Sequence, residues 1–139
     1  MLTPITIQKI ELSIAYTAVY LASEDRSFVI YMPAGSGKLL QNLIAKAPIE
    51  RPSSFDVILS LITGCNLQPF QIVITDEKEG VFHTKIFLEK HLDDTMEILE
   101  IDSRPSDSLA IAIKYQIPIL ISTQILQKIP NLAQAASED

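Results

Sequence analysis

Seven consecutive residues, Asp102-Ser103-Arg104-Pro105-Ser106-Asp107-Ser108, hold two carboxylates, one guanidinium and three hydroxyls. Two hard carboxylate ligands suit Mg²⁺ or Mn²⁺, with a substrate phosphate completing the shell. A guanidinium offers phosphate oxygens a planar fork of donors. Asp102, Arg104 and Asp107 are therefore the candidate catalytic residues, and Asp102 and Asp107 the candidate metal ligands, for metal-assisted phosphodiester cleavage. The same atoms also have a purely structural reading. Pro105 suits a first helical turn, where its missing N–H would be unpaired anyway. Ser103, Ser106 and Asp107 are placed to accept hydrogen bonds from free helix N–H groups, and Asp107 suits the positive end of the helix dipole. Arg104 then pairs with Asp102 or Asp107. Both readings remain open at this level.

Other candidate chemistry is weaker. Gly35-Ser36-Gly37-Lys38 follows an apolar run and invites comparison with a phosphate-binding P-loop. The spacing rejects nucleotide hydrolysis, because Met32 stands where a glycine is required and Leu39 where the Mg²⁺-holding hydroxyl belongs. A helix N-terminus able to tolerate an anion is what remains. His83 and His91 lack the spacing of paired metal ligands and read as solvent-facing or edge residues. Asp93-Asp94, and Glu77 and Glu79 around Lys78, read as solvated turns. Cys65, the single cysteine, excludes an internal disulfide and a cysteine-based zinc site, and reads as a buried or half-buried helix-end residue.

The elements that must position these groups follow from periodicity. Residues 5–12 alternate apolar and polar, as does a half-buried strand. Residues 16–21 form a second strand, and 28–32 an apolar run expected to lie centrally in a sheet. A helix is expected from about residue 38 to 47, with Leu39, Leu40, Leu43 and Ile44 on one stripe. Ser53 and Asp56 match a capping box opening a second helix, whose Val57, Ile58, Leu61 and Ile62 should face the core. Strands at 70–75 and 81–89 flank a hairpin loop at 76–80, and a further strand covers 96–101. A helix over 105–115, a short strand at 117–121 and a helical turn at 123–128 complete the pattern. Strands in blocks interrupted by helices make an α+β domain.

The 139-residue chain carries 11 Lys and Arg against 17 Asp and Glu, a formal net charge of −6. The basic residues form no run, so no basic arm exists, and the negative balance opposes long-range attraction to phosphate backbones. It does not oppose a metal-dependent nuclease, whose bound cations reverse the local sign. No apolar run reaches the roughly 20 residues of a membrane span, and the N-terminus lacks the pattern of a signal peptide. The expectation is a cytoplasmic protein without membrane attachment.

The segment I-D-S-R-P-S-D-S-L-A-I-A-I-K at 101–114, followed by Pro118-Ile119, resembles the signature of the bifunctional nuclease (BFN) domain family, whose members degrade DNA and RNA. Arg51-Pro52 with Asp56 is similar to the family's R-P-L-T-H-D segment. Phe82 to Ile86 is similar to its F-Y-A-x-L strand, and the stretch from Arg26 to Gly37 to its L-P-I-W-I-G strand followed by an E-G pair. The resemblance covers roughly residues 5 to 129. It implies a compact α+β BFN-type domain over 1–129 with a mixed sheet and packed helices, followed by a flexible tail at 130–139. It further implies a homo-oligomer and metal-dependent hydrolysis of DNA or RNA, with Mg²⁺ or Mn²⁺ held by Asp102 and Asp107 and assisted by Asp56. Ser36 replaces the acid of the E-G pair, Pro33 a glycine, and Phe55 the histidine. Asp56, Asp102, Arg104 and Asp107 are what survive of the polar set. The alternative is a non-catalytic, oligomeric binding or regulatory module on the same fold.

Overall fold

The computed structural model describes residues 1–132. Seven strands and four helices follow in the order β1 (Leu2–Leu12), β2 (Thr17–Ala22), β3 (Ser27–Met32), α1 (Ser36–Ala45), α2 (Ser54–Gly64), β4 (Leu67–Lys78), β5 (Val81–Leu92), β6 (Thr95–Ser103), α3 (Pro105–Tyr115), β7 (Ile119–Ser122) and α4 (Thr123–Lys128). The strands make one sheet in the order β3-β2-β1-β7-β4-β5-β6. Only β4 and β7 pair in parallel; every other neighbouring pair is antiparallel. The fold is thus α+β with a mixed sheet, as expected from the strand blocks. Among the described residues no helix is long and apolar enough to cross a membrane.

The alternation of side chains explains the core. In β4 and β5 the register pairs Ile72 with Ile86 and Ile74 with Thr84, and β6 continues the same face with Ile101 and Ser103. Helix α3 packs on β4 and β5 through Leu109, Ala110, Ile111 and Ala112, all buried. Pro69 is accommodated where β4 slips register against β5, since a proline has no N–H to give the ladder. The β4–β5 hairpin turns on Glu79 and Gly80 alone, both at positive φ. The strands therefore run further than the periodicity suggested, and Glu77 accepts the Gly80 N–H at 2.7 Å.

Three expectations need correction. Strand β3 is an edge strand, not a central one. Its inward face, Phe28, Ile30 and Met32, is buried while Tyr31 faces out, so apolar composition there marks one covered face only. In α2 only Ile62 is buried; Val57, Ile58 and Leu61 are 53%, 47% and 60% exposed. This helix touches the sheet mainly at β4 and lies on it through Phe55, Leu59 and Ile62. Cys65 caps the C-terminus of α2 but is exposed.

The chain beyond α4 stays on the domain as far as it is described. Arg26 donates to the carbonyls of Leu126 and Ile129 at 3.2 and 2.9 Å, and the Asn131 side chain accepts the Ser27 N–H at 3.0 Å. The rest of the expected tail, 133–139, lies outside the described residues.

Candidate active site

The strand–helix junction is built by hydroxyls. Register places Ser103 beside Thr84 of β5. The Thr84 hydroxyl donates to the Ser103 carbonyl at 2.6 Å and lies 2.7 Å from the Ser108 hydroxyl, which also contacts the Ser103 hydroxyl. Thr84 and Ser108 are buried. Three of the chain's polar groups thus satisfy one another inside the core, as buried hydroxyls must. The expected side-chain capping by Ser103, Ser106 and Asp107 does not occur. Arg104 is the N-cap, no side chain caps the helix, and the Asp107 and Ser108 N–H groups donate to the Arg104 carbonyl at 3.0 Å each. Replacing Thr84 by valine keeps the shape and removes the hydroxyl. The expected cost is about 1–3 kcal/mol, because the Ser103 carbonyl loses its partner inside the protein. Urea unfolding of Thr84→Val against the wild type checks this, and a change below about 0.5 kcal/mol would mean that the hydroxyl cluster contributes nothing net.

That lock leaves the charged groups outside. Arg104 Nε donates to Asp107 Oδ2 at 3.1 Å, with the two side chains 73% and 49% exposed. Asp102 is exposed, and its register partner is Lys85, on the sheet face opposite Ser103 and Thr84. At the open edge of the sheet Asp102 still borders the groove that Ser103, Arg104 and Asp107 line. This groove of about 450 Å³ runs between α2, the edge of the sheet and α3, with a floor that includes Ile86, Leu88 and Ile111. Asp102, Arg104 and Asp107 therefore share one concave surface with a charged rim and an apolar floor.

Asp56 is placed elsewhere. Its Oδ2 accepts the Ser53 N–H at 2.7 Å and the Ser53 hydroxyl at 2.8 Å, while Ser53 accepts the Asp56 N–H. This is the expected capping box, and the Ser53 backbone donor is the main cause that holds the Asp56 carboxyl below the usual carboxylate range. Asp56 borders a second cavity, separated from the Asp102 groove by Phe55, which borders both. Among the described residues no group of three or more His, Cys, Asp and Glu gathers to hold a metal ion. The donor set at the groove is thus two carboxylates, with Asp107 sharing one oxygen with Arg104. Mg²⁺ is commonly bound by one or two carboxylates plus water and phosphate. His83 and His91 are exposed on β5, His91 against Glu89 at 3.1 Å, and neither borders the groove.

Thr84 was not legible as a member of this junction. The available signal was a hydroxyl at an inward position of a strand, between Phe82 and Ile86.

A family model described as the bifunctional nuclease domain covers residues 19–133. The chain belongs to the bifunctional nuclease domain family. It is 27% identical over 89 residues to the uncharacterized protein Rv1829 of Mycobacterium tuberculosis, covering 64% of this chain and 50% of that one. It is 24% identical over 108 residues to Bifunctional nuclease 1 of Arabidopsis thaliana (69% of this chain, 33% of the plant protein). With Bifunctional nuclease 2 of the same plant, identity is 23% over 113 residues, 77% and 33% of the two chains. The chain therefore spans half or less of the length of these relatives. Family membership covers the groove, β6 and α3 entirely, and the positions occupied by Ser36 and Phe55 fall inside it.

Proposed function

We propose that this BFN-domain protein hydrolyses DNA or RNA phosphodiesters with Mg²⁺ or Mn²⁺ at the groove bordered by Asp102, Arg104 and Asp107, acting in the cytoplasm. The observation that carries the reading is that these three residues border one concave surface in a chain of this family. Asp102 and Asp107 would hold the cation, and a bound cation would supply the charge that polarises the phosphate and activates water. Arg104 meets a phosphate oxygen with its guanidinium fork, exchanging its contact with Asp107 for one with the substrate. Asp56, held by Ser53 on the far side of Phe55, takes no part in this cleavage reading. The apolar floor excludes water from one side of the scissile group. The test is cleavage of single- and double-stranded DNA and RNA with Mg²⁺, Mn²⁺ or chelator, beside the Asp102→Ala/Asp107→Ala double variant.

A second reading, the non-catalytic oligomeric module, is favoured by β6. Among the described residues this nine-residue strand has no partner on its outer side, and Met96, Ile98 and Ile101 are exposed along it. Long apolar edges of this kind pair with another chain unless they are blocked. Antiparallel pairing of two copies about Leu99 sets Ile98 opposite Glu100 and Glu97 opposite Ile101, so no two carboxylates stand directly opposed. The exposed Ile58 of α2 borders the same groove as Ile101. A homodimer is therefore expected at micromolar concentration by light scattering, and Ile98→Lys should weaken it at least about tenfold. A monomeric wild type would sink the homo-oligomer. Both readings use one surface, and the cleavage assay decides between them.

A further inference from the structure

The eleven lysines and arginines are scattered along the sequence, yet four of them, Lys38, Lys46, Arg51 and Lys114, border a single cavity of about 730 Å³. It lies between α1, the connection to α2, and α3. Among the described residues none of the four forms a salt bridge. Two carboxylates, Glu50 and Asp56, border the same cavity; Asp56 is held by Ser53 and also interacts electrostatically with Lys114. The result is a concave excess of positive charge in a chain of net charge −6. Four like charges gathered in one concavity repel one another, and low-dielectric walls focus their field outward. An anion with several charges relieves that repulsion. Lys38 stands in the first turn of α1, which has no acidic residue there and no side-chain cap, so the helix end adds the same sign.

We infer that this cavity binds a nucleoside polyphosphate, with the phosphates among Lys38, Lys46, Arg51 and Lys114 and the base against the half-buried ring of Phe55. Its volume falls within the roughly 300–1,000 Å³ of small-molecule sites. The cations border one hollow instead of lining a stripe, which favours a compact polyanion over a nucleic-acid backbone. Leu39 follows Lys38 where a P-loop has its Mg²⁺-holding hydroxyl, so the site lacks the P-loop route to hydrolysis. The inference does not depend on the cleavage reading, which uses the groove on the other side of Phe55.

Calorimetric titration of the full chain with ATP, GTP, tripolyphosphate and a single-stranded oligonucleotide tests it. ATP or GTP is expected to bind with a Kd on the order of 10 µM, and tripolyphosphate several-fold more weakly. Lys46→Glu/Lys114→Glu should weaken nucleotide binding at least about tenfold, and Lys46→Ala/Lys114→Ala should weaken it less; Lys78→Glu/Lys128→Glu, outside the cavity, should stay within about twofold. Unchanged thermal unfolding shows that the variants are folded. Absence of nucleotide binding overturns the inference, as does binding that the Lys46 and Lys114 changes leave intact. Equal affinity for tripolyphosphate overturns the nucleoside assignment. Tighter binding of the oligonucleotide, lost in the same variants, overturns it in favour of a strand path. Cleavage is measured separately on the same samples, so loss of one reading leaves the other standing.

Discussion

Metal-dependent cleavage of DNA or RNA is expected to fall by roughly two orders of magnitude or more when Asp102 and Asp107 are both changed to alanine. The size of the effect follows from the donor set. Among the described residues only two carboxylates border the groove beside Arg104, so removing both leaves the cation no protein ligand there. Neither side chain belongs to the hydroxyl lock that joins β6 to α3, and both lie outside the core. The double variant should therefore unfold within about 0.5 kcal/mol of the wild type, which makes a lost activity a loss of chemistry. Arg104→Lys is expected to reduce cleavage while keeping the charge, because an ammonium lacks the fork. Wild-type cleavage no greater than that of the double variant would leave the segment as a strand–helix junction alone. The function would then lie with the β6 and α2 surface.

Truncating Phe28 is expected to cost about 3–5 kcal/mol, the largest stability effect of any single change considered. Phe28 is almost fully buried on β3, stacked on Phe82 of β5 with ring centroids 5.8 Å apart and planes 26° from parallel. Register puts it beside Leu21 of β2, itself fully buried. Phe28→Ala removes a ring from a core with no room to collapse around the hole, so a cavity term adds to the lost transfer energy. Against a typical total of about 5–15 kcal/mol, such a loss is a large share of what holds a domain together. Phe28→Leu, which keeps most of the volume, should cost less than half as much. Denaturant unfolding measures both. A cost near 1 kcal/mol for Phe28→Ala would mean that the β2–β3 end of the sheet opens independently of the rest, as an edge can. A full cost would show one cooperative unit from β3 to β5.

The particular residues show how much could be read in advance. The capping box at Ser53 and Asp56 was legible because its two hydrogen bonds are local, spanning three residues. The bounds of α3 were legible for the same reason: Pro105 starts the helix and Gln116 closes it in the left-handed conformation. The exposure of Val57, Ile58 and Leu61 was not legible, because a helical stripe names a face and not what covers it. The place of β3 at an edge was equally hidden, since strand order is set by long-range pairing that periodicity does not carry.

The division is physical. The amino-acid sequence by itself determined the α+β alternation, the family, the cap of α2 and the concentration of charged and hydroxyl groups at 102–108, because each depends on neighbours a few residues apart. Tertiary structure alone decided which hydroxyls lock the junction and that Asp102, Arg104 and Asp107 border one groove while Asp56 borders another. It also decided that four scattered cations meet in one cavity. Those outcomes depend on pairing registers and helix packing between segments as far apart as Lys38 and Lys114, and such distances close only when the hydrophobic core forms.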